Sequence, residues 1–129
     1  MPTLLLAAAL ALQDTPIQPA PAPGSDVIVI DDLPIEQAAA VRCAIAYATV
    51  SRWQKAGDAR GRAFPDMEAQ GGREFFVQVM AMLMDTGVSR ESIVVMATEG
   101  AARNETPEGT GRIAQMMPAC DLMKSAAGL

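Results

Sequence analysis

Only two cysteines occur in the 129 residues, Cys43 and Cys120, and each falls inside an apolar series with helical spacing. Around the first, Ile35, Ala39, Cys43, Ala46, Val50 and Trp53 recur at spacings of 4, 4, 3, 4 and 3. At about 100° per residue these positions share an arc of about 80°. Around the second, Ile113, Met116, Met117, Cys120 and Met123 follow the same period. A disulfide between two inward-facing helix positions requires the two helices to lie side by side. The fold expected is therefore an all-α bundle of about four helices, with one Cys43–Cys120 bridge linking the first and last. A reactive thiol pair is the weaker reading: there is no CxxC, and only Cys43 has a neighbouring cation, Arg42.

The helix boundaries follow from breakers and caps. Pro34 suits a first helical position and Gly57 is the next breaker, so the first helix is expected from Pro34 to Ala56. Arg42 lies close to its apolar arc and is expected to reach the rim. Pro65 to Gly72 is open between helix start and helix interruption. Arg73 to Thr86 carries Phe75, Phe76, Val79, Met80, Met82 and Leu83 on a broad apolar face, with Gly87 as its stop. Ser89 is the expected cap of a third helix, stapled by Val88 and Ile93, with Met96, Ala97, Gly100 and Ala101 completing its face. Thr106-Pro107 is the expected start of the fourth, and Pro118 is expected to kink it or to break and restart it.

The front of the chain differs in kind. Leu4 to Leu12 reads LLLAAALAL, the length of a signal-peptide core and too short for a membrane span. Residues 1–12 are expected to be a leader, cleaved near 11–13 beside Ala9-Leu10-Ala11, although Met1-Pro2-Thr3 lacks the usual Lys or Arg. Pro16, Pro19, Pro21 and Pro23 then favour polyproline II, making residues 13–32 a flexible linker with a short extended segment and residues 33–129 the helical domain. The mature protein is expected to be periplasmic or secreted, without an integral membrane segment; two cysteines in an exported chain again read as one disulfide.

Within that linker, Val27, Ile28, Val29 and Ile30 form the longest β-branched run, flanked by Asp26, Asp31 and Asp32. A lone extended segment lies along a helical bundle or offers itself to the edge of a partner's sheet. The run is similar to the short acidic-plus-valine boxes through which outer-membrane receptors engage the energy-transducing TonB protein. The resemblance, over about five residues, implies strand addition to a partner.

Composition sets limits on function. The absence of histidine excludes Ser-His-Asp and Cys-His catalysis and histidine-ligated zinc. A net charge of -5 argues against nucleic-acid binding, which needs a clustered excess of Lys and Arg. Nine methionines invite copper chemistry, but on a helix Met82 points away from Met80 and Met84, and Met96, Met116, Met117 and Met123 have core periodicity. Ser51 and Lys55 stand one turn apart on an exposed face, which does not favour a nucleophile. Asp66 and Glu68 lie in loop-like sequence, and Glu108-Gly109-Thr110-Gly111-Arg112 is a weak anion-binding pattern.

Arg52, Lys55, Arg60 and Arg62 gather four bases against one acid, Asp58, a contact patch or a solvated helix end. The reading is a non-enzymatic exported protein that works without a cofactor by contact with a protein partner, through Val27 to Ile30 and through Arg52, Arg60 and Arg62. In size, helicity, export and single disulfide the chain resembles the periplasmic acid-stress chaperones, which implies a chaperone as the alternative. A methionine-based copper carrier is the third reading.

Overall fold

The computed structural model describes residues 26–129, so the expected leader and most of the proline-rich segment lie outside the described residues. Four helices follow one another: α1 (Ile35–Lys55), α2 (Gly72–Asp85), α3 (Arg90–Asn104) and α4 (Gly109–Ala126), with 3-10 turns at Ile30–Asp32 and Ala59–Ala63. No strand occurs among the described residues. Cys43 and Cys120 form the disulfide, with their Cα atoms 5.3 Å apart.

α1 is the hub of the bundle. It packs against each of the other helices and both 3-10 turns. The single stripe read from its sequence is therefore too narrow. Val41, Ile45, Tyr47 and Thr49 are buried along with Cys43, Ala46, Val50 and Trp53, whereas Ile35, assigned to the stripe, is 88% exposed. A stripe describes a helix with one partner, and α1 has neighbours on most sides. Tyr47 and Phe75 meet edge to face at 5.7 Å, and Met67, Leu83, Met96 and Ile113 fill the space between helices.

Local chemistry explains the remaining boundaries. Pro34 occupies the N-cap of α1. The ambiguous stretch before α2 is a turn, and Gly71, at φ 79, precedes the first helical residue; Gly87, at φ 95, follows α2 in the same left-handed region. Ser89 caps α3 by accepting a hydrogen bond from the Ser92 amide at 3.1 Å.

Two expectations for the last helix are corrected. Thr106 does not cap α4: its hydroxyl donates to the Arg103 carbonyl at 3.0 Å and finishes α3, so α4 begins at Gly109. Nor does Pro118 break α4, which continues through it. Pro118 and Ala114 are both exposed residues, so the turn that loses an amide donor lies on the outer side of the helix.

The segment ahead of α1 lies along the bundle. The Ile28 amide donates to Ser92 Oγ at 3.0 Å, Ile28 and Ile30 pack against the core, and Asp31 pairs with Arg42 at 2.6 Å on the rim. At the other end of the chain, buried Lys124 donates from Nζ to the Gln70 carbonyl and sits 5.2 Å from the centre of the Tyr47 ring. The Tyr47 hydroxyl donates to Asp121 at 2.6 Å, and burial together with that carboxylate pushes its pKa above the usual phenol value. These bonds dock α4 onto α1 and the turn before α2.

Candidate functional site

The chemistry gathers where α1 ends. Gln54, in the last turn of α1, is bonded to the loop that follows. Its Nε2 donates to the carbonyls of Gly61 at 3.1 Å and Pro65 at 2.8 Å, and its Oε1 accepts from the Met67 amide at 3.0 Å. One side chain thus ties residues 61–67 back against the helix. Asp58 caps the 3-10 turn inside this loop by accepting from the Arg60 amide at 3.0 Å.

Beside the loop stands a clamp of charge around Trp53. The Arg60 guanidinium lies over the indole, 4.3 Å from the ring centre. It donates to Asp58 through Nε at 3.0 Å and Nη2 at 2.6 Å, and to Glu105 through Nη1 at 2.7 Å. Glu105, just past α3, also accepts from the Trp53 indole at 3.1 Å and from Arg52. Two arginines and an indole from the α1 side therefore converge on one carboxylate from the α3 side, fastening α3 to α1.

The electrostatics follow from these bonds. Hydrogen bonds from Arg52, then from Arg60 and Trp53, hold the Glu105 carboxyl below the ordinary carboxylate range. The bonds from Arg60 lower Asp58 to about 2, and the same pairing raises Arg60 further. Both acids have depressed folded-state values, so what they add to stability is present above the unfolded carboxylate pKa of about 4. It is lost as pH falls through the folded values. Urea unfolding from about pH 4 down to about pH 2 is expected to show a steady loss of stability in the native protein and a shallower slope in Asp58→Asn/Glu105→Gln. Equal slopes in the two proteins would show that the clamp does not titrate.

Clamp and loop border an open groove of about 460 Å³, lined by Ser51, Gln54, Lys55, Arg62, Asp66 and Glu68 among others. The basic cluster read from the sequence is thereby divided. Arg52 and Arg60 are engaged in the clamp, while Lys55 and Arg62 line the groove and form no ion pair among the described residues. Ser51 and Lys55 share this groove without a hydrogen bond between them. Asp66 turns inward on its own chain, accepting from the Glu68 amide at 3.0 Å. Val27 to Ile30 lie elsewhere, half-buried beside α3, and are not brought to the groove.

Sequence reading missed Glu105 and Gln54. Glu105 is 45 or more positions from the residues it joins, and nothing in its local sequence marks it. Gln54 sits in a helix end where glutamine is unremarkable.

Among the described residues no helix is long and apolar enough to cross a membrane, and no group of three or more Cys, Asp or Glu is arranged to hold a metal ion. Met67, Met80, Met96 and Met117 are core residues, and Met84 is exposed. No protein-family model, curated protein or solved structure matches the chain, so its fold and site stand on their own residues.

Proposed function

We propose that this chain is a small exported, non-enzymatic protein that acts by contact with a protein partner, and that the groove at the end of α1 is the contact site. The observation that carries this reading is the division of the basic cluster. The clamp and Gln54 hold the groove walls, while Lys55 and Arg62 remain at its surface for a partner. A preformed groove spares a partner the entropy of ordering it. Its lining mixes Lys55 and Arg62 with Asp66 and Glu68, which suits a polar polypeptide segment of mixed charge. Export is supported by the disulfide and by the apolar run at Leu4 to Leu12.

Photo-crosslinking in the native host tests this. A probe at Arg62 is expected to trap a discrete heavier adduct that a probe at the exposed Gln78 does not trap, and Lys55→Glu is expected to weaken it severalfold. An adduct indifferent to position and charge would overturn the groove as the site. A parallel protein with Val27 to Ile30 changed to serine separates the two surfaces: loss of the adduct only there would transfer the contact to the arm. The acid-stress chaperone reading requires a different outcome, partial unfolding near about pH 3 with exposed apolar surface.

A further inference from the structure

Three of the ten basic residues meet at a second cavity, away from the groove. Arg42 from α1, Arg103 from α3 and Arg112 from α4 line a pocket of about 120 Å³ whose other walls include Ile30, Ile45 and Met116. No acidic side chain among the described residues lines it. Arg42 is paired with Asp31, but Arg103 and Arg112 form no ion pair among the described residues. In a chain with five more acids than bases, this leaves two uncompensated guanidinium groups at one small opening.

The pocket is built by the packing of the bundle. Gly100 faces Ile45 so closely that a Cβ there would come within 2.7 Å of the Ile45 Cδ1, so α3 approaches α1 along the pocket wall. Arg112 is anchored by a bond from Nη1 to the Arg103 carbonyl at 3.3 Å, which brings the start of α4 to the end of α3. Three arginines thus line the pocket beside an apolar floor, with Arg112 held in place by its bond to the end of α3.

We propose that this pocket binds a small organic monoanion of the short-chain carboxylate class. The carboxylate takes the planar donors of Arg103 and Arg112, whose fork geometry matches two oxygens. The alkyl chain lies against Ile45 and Met116. The volume is below the roughly 300 Å³ at which pockets for larger ligands begin, so a chain of a few carbons is the fit. The apolar floor distinguishes this ligand from inorganic phosphate, which would satisfy the arginines and leave the floor uncovered. The proposal is independent of the groove and its partner.

Titration calorimetry of the oxidised protein with butyrate, hexanoate, butanol and inorganic phosphate tests it. Butyrate or hexanoate is expected to bind at least about tenfold more tightly than phosphate, with no binding of butanol, because both charge and chain are used. Arg103→Gln/Arg112→Gln is expected to lower carboxylate affinity by about tenfold or more, and Arg103→Lys/Arg112→Lys to recover only part of it. Far-ultraviolet circular dichroism establishes that each variant is folded, and the four ligands on the unaltered protein decide the matter without any variant. Phosphate binding as tightly as the carboxylates, butanol binding equally well, or no carboxylate binding at millimolar concentration would each overturn the proposal.

Discussion

Reduction of the Cys43–Cys120 bond is expected to remove about 4.5 kcal/mol of stability. The bond joins residues 77 positions apart, and closing a loop of that length restricts the unfolded chain by about this amount. It ties the first helix to the last and encloses α2 and α3, so nearly all the folded body gains from the restriction. Domains of this size have total stabilities of about 5 to 15 kcal/mol, which puts the reduced protein near the edge of folding. The urea midpoint is expected to fall by about 2 M or more on reduction or in Cys43→Ala/Cys120→Ala. Both sulfurs are buried in the core, so the double alanine variant also loses some packing and should be the less stable of the two. A midpoint that moves by less than about 0.5 M would mean that the helices associate without help from the bond. Intact mass of the native protein should be lower by two hydrogens than that of the reduced protein.

Gly109→Ala is expected to cost about 3 kcal/mol or more, while Gly111→Ala, two residues along the same helix, is expected to be neutral or mildly stabilising. A Cβ at position 109 would lie 1.8 Å from the carbonyl oxygen of Asn104 and 2.5 Å from its carbon. These are backbone atoms at the end of α3, so no side-chain rotation relieves the overlap. The α3–α4 turn must open, and with it moves the helix that carries Ile113, Met117 and Cys120 into the core. At Gly111 a Cβ meets nothing within 4 Å, and alanine gains its helix propensity of up to about 1 kcal/mol. Thermal or urea unfolding of the two variants against the parent checks the pair. Equal stabilities would show that the α3–α4 turn yields easily.

The contrast between these glycines also separates what was legible in the sequence from what was not. Gly109 and Gly111 look alike in the pattern Glu108-Gly109-Thr110-Gly111-Arg112, and only the approach of α3 makes one indispensable. Ser89 and Gly87 were readable because a cap or a left-handed stop acts within a few residues of itself. Thr106 was misread because its hydroxyl had two local uses, starting α4 or finishing α3. Pro118 does not break α4, and whether a proline ends a helix depends on the packing around it rather than on the local sequence alone.

At the candidate site the same division holds. The bases Arg52, Arg60 and Arg62 were visible as a cluster, but their roles were not, since Glu105 arrives from beyond α3 to engage two of them. Arg42, Arg103 and Arg112 have no sequence relation and meet only where three helices pack.

The sequence by itself determined the helical class, the order of the helices and the inward placement of both cysteines, because helical periodicity, caps and breakers act over a turn or two. Tertiary structure decided that α1 is the hub and that Ile35 is left outside. It also decided that Lys124 is buried against Tyr47, and which cations are spent on carboxylates and which remain available. Those outcomes depend on contacts between residues tens of positions apart, and a contact energy that joins distant segments leaves no mark on the spacing within either one.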